Sequence, residues 1–313
     1  LMKELKCFTI TLDYGSGAFP TFEQYISKKK EIDNMLRHIG INDIPADPEL
    51  NLKKHPPRIS YDFKVDINTP EYPWLIAELE QIGVRYLENY EMGVYYLYHY
   101  EFEFSTREMD EARLFEFRLM THNFNGDKHP IYNGTQYRKE IICPVCGKAN
   151  WHQLNDLHID TSVIKKKSLI KPSGSSEYGS FILISDRMAK VLENEGITGY
   201  ELRPVIHVGS EKKRKEVYQF TVNNILPPFS SRMRFESRPE EYCSSCGITG
   251  RFKWPLHYDS SSLTDVKDFN LSCEYTGNGA GYERDIVISR KARDLLINMK
   301  VQKEFQPVII VDQ

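Results

Sequence analysis

The sequence predicts an α+β fold: an N-terminal α+β domain over 1–120, a turn-rich linker over 121–138, and a C-terminal domain over 139–313. The C-terminal domain reads as two copies of a strand-helix-strand unit, about 139–210 and 239–313, joined by a cysteine site. Three observations predict this. Two Cys-x-x-Cys-Gly strings, Cys143-Pro144-Val145-Cys146-Gly147 and Cys243-Ser244-Ser245-Cys246-Gly247, sit in the second half. A similar apolar string follows each of them. The first 120 residues mix period-two and helical apolar patterns.

In the N-terminal part, Phe8-Thr9-Ile10-Thr11-Leu12 alternates as a strand, with Cys7 as a small core residue beside it. Tyr25, Ile32, Leu36 and Ile39 form the apolar stripe of a helix that Gly40 ends. Thr69-Pro70 opens a second helix with Leu75, Leu79 and Ile82 inward and Gly83 as its stop. Val94 to Phe104 reads as a long strand with Tyr96, Tyr98, Tyr100, Phe102 and Phe104 on one face, and His99, Glu101 and Glu103 opposite. The aromatic ladder reads as the core face of an antiparallel sheet under two helices; its alternative is a surface for a protein partner. Ser105-Thr106-Arg107-Glu108 is a capping box for a short helix, and Leu114 to Leu119 returns as a strand. Asn-Gly at 125–126 and 133–134 marks the linker.

In the C-terminal part, Ile182-Leu183-Ile184-Ser185, then Val191-Leu192, Asn194 and Pro204-Val205-Ile206, are answered by Ile286-Val287-Ile288-Ser289, Leu295-Leu296, Asn298 and Pro307-Val308-Ile309. Order and residue type agree, with one residue lost between strand and proline, which reads as a duplication. Ser185 and Ser289 are helix N-caps, Met188, Val191 and Leu192 share one helical face, and Gly196 stops the first helix. Asp186 and Arg203 near it read as a cap and a surface ion pair rather than a polar site.

A Cys-x-x-Cys-Gly turn folds two thiolates onto one point, and the glycine after the second Cys accepts the left-handed conformation that finishes the knuckle. Two knuckles supply four soft ligands, so Cys143, Cys146, Cys243 and Cys246 are the expected ligands of one closed, structural Zn²⁺ site. Two separate sites remain open, completed by His152 or His158 and by His257 or Cys273. A redox role is a further alternative, but Gly147 and Gly247 break the helix that would lower the first thiol's pKa.

Composition bounds the rest. The 313 residues carry 40% hydrophobic and 27% charged residues and a net charge of -3, with mean hydropathy of -0.51. No stretch approaches the roughly 18–20 apolar residues of a membrane span, so no membrane partner is expected. Leu1-Met2-Lys3-Glu4-Leu5-Lys6 has no apolar signal-peptide core, and four of the six cysteines sit in the knuckles. A cytoplasmic, reducing location with metal-bound thiols follows as the expectation, and two Asn-x-Thr/Ser strings read as chance matches. Lys28-Lys29-Lys30, Lys165-Lys166-Lys167 and Lys212-Lys213-Arg214-Lys215 read as solvated faces or loops. With a pI near 6.4, nucleic acid is not the expected partner. The nine histidines are scattered, no nucleophile constellation stands out, and the string from Gly277 to Gly281 precedes a strand rather than a phosphate-holding helix. No enzymatic activity is expected.

From about residue 140 to 313 the chain resembles the bacterial double-CXXCG motif family. The matching features are both CxxCG knuckles, Trp151 after the first, Asp160-Thr161-Ser162, the strand-Ser-helix element after each knuckle and the closing proline strand. Some members are described as immunity proteins, so the resemblance implies a non-enzymatic partner-binding role, with a cognate toxin as partner. Mild acidity suits capture of a basic toxin, and 19 tyrosines supply contact residues. The long N-terminal part departs from the family. A zinc-ribbon nucleic-acid-binding or regulatory protein is the rival reading.

Overall fold

The structure is a computed structural model that describes residues 2–16, 18–46, 57–86, 94–119, 121–122, 130–164, 169–172, 181–237, 243–247, 251–277, 282–301 and 305–312. It has the mixed α+β content the sequence predicts. The chain divides into two compact units, Leu1–Glu108 and Met109–Gln313. Lys165-Lys166-Lys167, the Asn125-Gly126 turn and the residues after Gly277 in the glycine-rich string lie outside the described residues.

The first unit contains β1 (Lys3–Asp13), α1 (Phe22–His38), β2 (Arg58–Asp66), α2 (Glu71–Gln81), β3 (Arg85–Tyr86) and β4 (Val94–Glu103); α3 (Thr106–Glu111) runs across the division. The strands form one sheet in the order β2-β1-β4-β3, with β1 antiparallel to both long neighbours. Period two fixes which side chains go inward. Phe8, Ile10 and Leu12 from β1 and Ile59, Tyr61, Phe63 and Val65 from β2 are buried with Tyr25, Ile32 and Leu36 of α1 and Leu75 and Leu79 of α2. Thr21 and Gln24 make a reciprocal capping box that starts α1. Ser105 and Glu108 do the same for α3.

The first two rings of the aromatic ladder take its core reading. Tyr96 and Tyr98 pack against this core, and the Phe8 and Tyr98 rings lie 6.4 Å apart. Two lysines are buried although no local pattern announces it. Lys6 is buried with its ammonium 3.6 Å from the Tyr98 ring centre, a cation–π contact, and donates to Tyr72 Oη at 3.0 Å. Lys29, read as part of a solvated basic run, is buried and pairs with Asp33 at 2.7 Å. The Tyr61 hydroxyl donates to the other Asp33 oxygen. An i,i+4 spacing and an inward-facing helix side explain why this lysine departs from its neighbours.

The second unit contains β5 (Leu114–Phe117), β6 (Thr121–His122), β7 (Tyr137–Ile141), β8 (Ala149–Gln153), β9 (Leu157–Ile159), β10 (Leu169–Pro172) and β11 (Ile182–Ser185), followed by α4 (Asp186–Asn194), β12 (Tyr200–His207) and β13 (Val217–Val222). It continues with β14 (Phe235–Ser237), β15 (Arg251–Lys253), β16 (His257–Asp259), β17 (Phe269–Gly277), β18 (Tyr282–Ser289), α5 (Arg290–Asn298), β19 (Phe305–Pro307) and β20 (Ile309–Val311). Among the described residues these make a sheet ordered β6-β10-β11-β13-β12-β9, another ordered β17-β18-β5-β19, and the pairs β7–β8, β14–β15 and β16–β20. Ser185 accepts from the Met188 amide and Ser289 from the Ala292 amide, so both predicted N-caps form. Met188 and Leu192 of α4 and Ala292 and Leu296 of α5 share a core with Phe115, Phe117, Phe220 and Phe269.

One boundary differs from the sequence reading. The strand at Leu114, counted there with the N-terminal domain, is β5 of the second unit, where it pairs with β18 and β19 and all four of its residues are buried. The expected linker over 121–138 likewise contains β6, which pairs with β10, and the start of β7. A local apolar run cannot say which sheet will take it.

Two stability predictions follow. Asp33→Ala strands the buried Lys29 ammonium and is expected to destabilise the first unit by about 3–5 kcal/mol in urea unfolding, several times the effect of an exposed ion-pair deletion such as Glu31→Ala. Gly199 (φ +90) lies so close to β17 that an added Cβ would run into the Phe269 carbonyl oxygen and lie 2.7 Å from Lys267 Cβ. Gly199→Ala is therefore expected to destabilise the second unit by about 3 kcal/mol, read as a lowered thermal midpoint.

Candidate metal centre

Each knuckle lies in the chain between two strands that pair antiparallel. In the first, β7 and β8 run antiparallel, with Ile141 opposite Ala149, and the amides of Ile142 and Cys143 both donate to the Lys148 carbonyl at 2.8 and 3.1 Å. In the second, Phe235 of β14 pairs with Lys253 of β15, and the Gly247 amide donates to the Cys243 carbonyl at 2.8 Å. Gly147 and Gly247 sit at φ +71 and +64, the left-handed turn that the motif's glycine permits without strain. Among the described residues neither Cys-x-x-Cys string opens a helix, and all six cysteines are free thiols.

The strand pairs bring the two knuckles to one point. The four sulfurs lie within 4.8 Å of one another, with Cys143 Sγ 3.9 Å from Cys243 Sγ and Cys146 Sγ 3.7 Å from Cys246 Sγ. A tetrahedral ion with metal–sulfur bonds of about 2.3 Å needs sulfur–sulfur edges of about 3.8 Å, so both pairs stand at ligand spacing. The first cysteine of each knuckle is buried; Cys146 is exposed and Cys246 half-buried. Four thiols at this distance can bind a metal ion, and an all-sulfur tetrahedral set is compatible with zinc.

Electrostatics divides the pair of buried thiols. The Cys146 amide aimed at its sulfur holds the Cys143 thiol below the ordinary range, against burial, and the Val145 amide adds to the effect. At Cys243 the Cys246 amide acts the same way, yet burial and the crowding sulfurs of Cys146 and Cys246 outweigh it and the thiol is raised. Adjacent sulfurs resist sharing negative charge unless a cation joins them.

The alternative ligands stand elsewhere. His152 Nε2 is 2.5 Å from Glu140 Oε2; His158 and His257 each turn Nδ1 toward a backbone carbonyl, of Asp156 and Pro255 respectively. Among the described residues, the groups that bring three or more ligand atoms together are the four cysteines and a second set, Cys7, His99 and Glu101. The second set was not anticipated, and no local spacing announces it: Cys7 meets the other two across strands. Asp186 pairs with Lys190 and Arg203 lies near Glu201, two separate surface contacts. Of the basic run at 212–215, Arg214 lies near Glu211 and Lys215 donates to the Ile164 carbonyl, which leaves less of it for a polyanion. No helix among the described residues is long and apolar enough to cross a membrane.

No family model matches this sequence, and no curated protein is significantly similar to it.

Proposed function

We propose that Cys143, Cys146, Cys243 and Cys246 hold one structural Zn²⁺, and that the chain is a non-enzymatic binding protein in the role its double-CXXCG resemblance implies: capture and neutralisation of a cognate protein toxin. The sulfur spacing supports the metal reading. Four protein thiolates fill a tetrahedral ion and leave no position for substrate, which supports a structural ion over a catalytic one.

On this reading the zinc ties together two copies of a duplicated unit, and the strand pairings support the duplication. Ser185 of β11 faces Val217 of β13, and Ser289 of β18 faces Leu114 of β5. Pro204 faces Tyr218, and Pro307 faces Phe115. β9 lies parallel to β12, as β16 does to β20. Each copy then reaches outside its expected bounds for a last strand: β13 lies beyond residue 210, and β5 precedes the first knuckle.

The observation that carries the partner-binding reading is apolar exposure at the first knuckle. Val145 is 73% exposed and Ile141 55%, with Ile142 exposed beside them. Large apolar side chains gathered on a hairpin tip mark a contact site more often than scattered ones do. The aromatic ladder of β4 lends less support, because Tyr96 and Tyr98 are engaged in the core.

Elemental analysis of the full chain is expected to give about one zinc per molecule, with loss of metal and a less stable second unit in Cys146→Ser. Two ions in the four-cysteine region, or none with four reactive thiols, would exclude the shared site. The binding role is tested by co-expression with the product of the adjacent gene, pull-down and growth rescue. Val145→Glu is expected to weaken capture by at least about tenfold with metal content unchanged. A neighbour that is no toxin, or a chain that neither binds nor protects, would sink the immunity reading while leaving the metal site intact.

A further inference from the structure

The face of the first unit's sheet that points away from α1 and α2 carries polar side chains drawn together by register alone. Cys7 of β1 lies opposite Lys64 of β2 on one side and His99 of β4 on the other. Glu101 is two residues beyond His99 on the same strand, so it projects from the same face. One ligand atom from each of Cys7, His99 and Glu101 lies within 4.8 Å of the others. His99 Nε2 is 3.2 Å from Glu101 Oε1, and the Lys64 ammonium donates to Glu101 Oε2.

We propose that Cys7 Sγ, His99 Nε2 and Glu101 Oε1 form a second cation site, separate from the four cysteines, for a borderline-soft divalent ion such as Zn²⁺. Sulfur, imidazole and carboxylate are the donors such ions take, and three protein ligands leave the fourth tetrahedral position to water or an outside ligand. The donors stand on strands locked by long antiparallel ladders, so little ordering is needed on binding. Lys64 occupies only the outer carboxylate oxygen. It thereby orients Glu101 and leaves Oε1 for the ion, as an outer partner does around many metal ligands. Access is from solvent, since the His99 side chain is 66% exposed while Cys7 lies at the floor of the site. As the sulfur–metal bond forms, Cys7 releases its thiol proton to water. No net oxidation or reduction takes place.

Where the four-cysteine centre would be closed, this one is open, which gives the chain a site able to take an exogenous ligand. The test uses the full chain, given one equivalent of Zn²⁺ to fill the four-cysteine centre and then titrated with Co²⁺ as an optical probe of the second site, beside His99→Ala and Cys7→Ser treated alike. The exposed His99 can be truncated without disturbing the core, and circular dichroism verifies the fold. Wild type is expected to take up one metal equivalent more than His99→Ala at low micromolar free ion, or to bind that equivalent at least about tenfold more tightly. Its thiolate-to-cobalt charge-transfer band is expected to vanish in Cys7→Ser. Should Cys7→Ser fail to fold, Glu101→Gln on the solvent face replaces it, with the same loss of uptake expected. Equal uptake at equal affinity by wild type and His99→Ala overturns the proposal, as does a band that survives both Cys7→Ser and Glu101→Gln. Because the four-cysteine centre is read out by Cys146→Ser, failure of one site is distinguishable from failure of the other.

Discussion

The second unit depends on a strand of four residues. β5 stands between β18 and β19, hydrogen-bonded to both, and without it the sheet β17-β18-β5-β19 would lose its connection to β19. Phe115 and Phe117 enter the shared core, while Glu116 turns to the other face and accepts from Arg118 at 2.8 Å. Its partners come from the far end of the chain. Loop-closure entropy rises only slowly with loop length, so such a separation costs little in stability. It costs more in time, because the sheet cannot close until sequence-distant strands have met.

The knuckles inherit their meeting from that architecture. β7–β8 and β14–β15 are two-stranded antiparallel pairs, and the knuckle between the strands of each carries a buried and a less buried sulfur. The close approach of Gly199 to Phe269 and the paired hydrogen bonds of Thr198 with Asp268 fasten the segment before β12 to the start of β17. Polar and steric contacts thus join the halves of this unit, beside the core of α4 and α5. An ion at the sulfurs would act on an arrangement that other contacts already favour.

What was legible in the sequence was local. The serine caps, the stripes of α1, α4 and α5, the alternation in β1, and the left-handed glycines of both knuckles each follow from a few adjacent residues. The grouping of the four cysteines was legible too, since four thiols in paired motifs have one economical arrangement. What escaped were properties of register and assignment. Leu114 to Phe117 reads the same whichever sheet takes it. Lys29 looks like Lys28 and Lys30 until the helix face is set against Asp33 and Tyr61. Cys7, His99 and Glu101 become neighbours only when β1 is aligned on β4 to the residue.

The two cysteine environments show how secondary structure decides thiol chemistry. In a knuckle the chain turns sharply, so amides are free of ladder pairing and can point at sulfur; the Cys146 amide does this for Cys143 and favours its thiolate. In the middle of a sheet the strand ladders already occupy the backbone amides. Cys7 therefore gains no such help, and burial, with Glu101 beside it, pushes its thiol up to about 11. Lys64 offsets this only in part, because its ammonium is bound to Glu101 rather than to the sulfur. The same side chain is thus prepared for charge at Cys143 in the first knuckle, and at Cys7 on a strand it is biased toward the thiol until a cation displaces the proton. The physical difference lies in the backbone around it: turns leave donors unspent, and sheets do not.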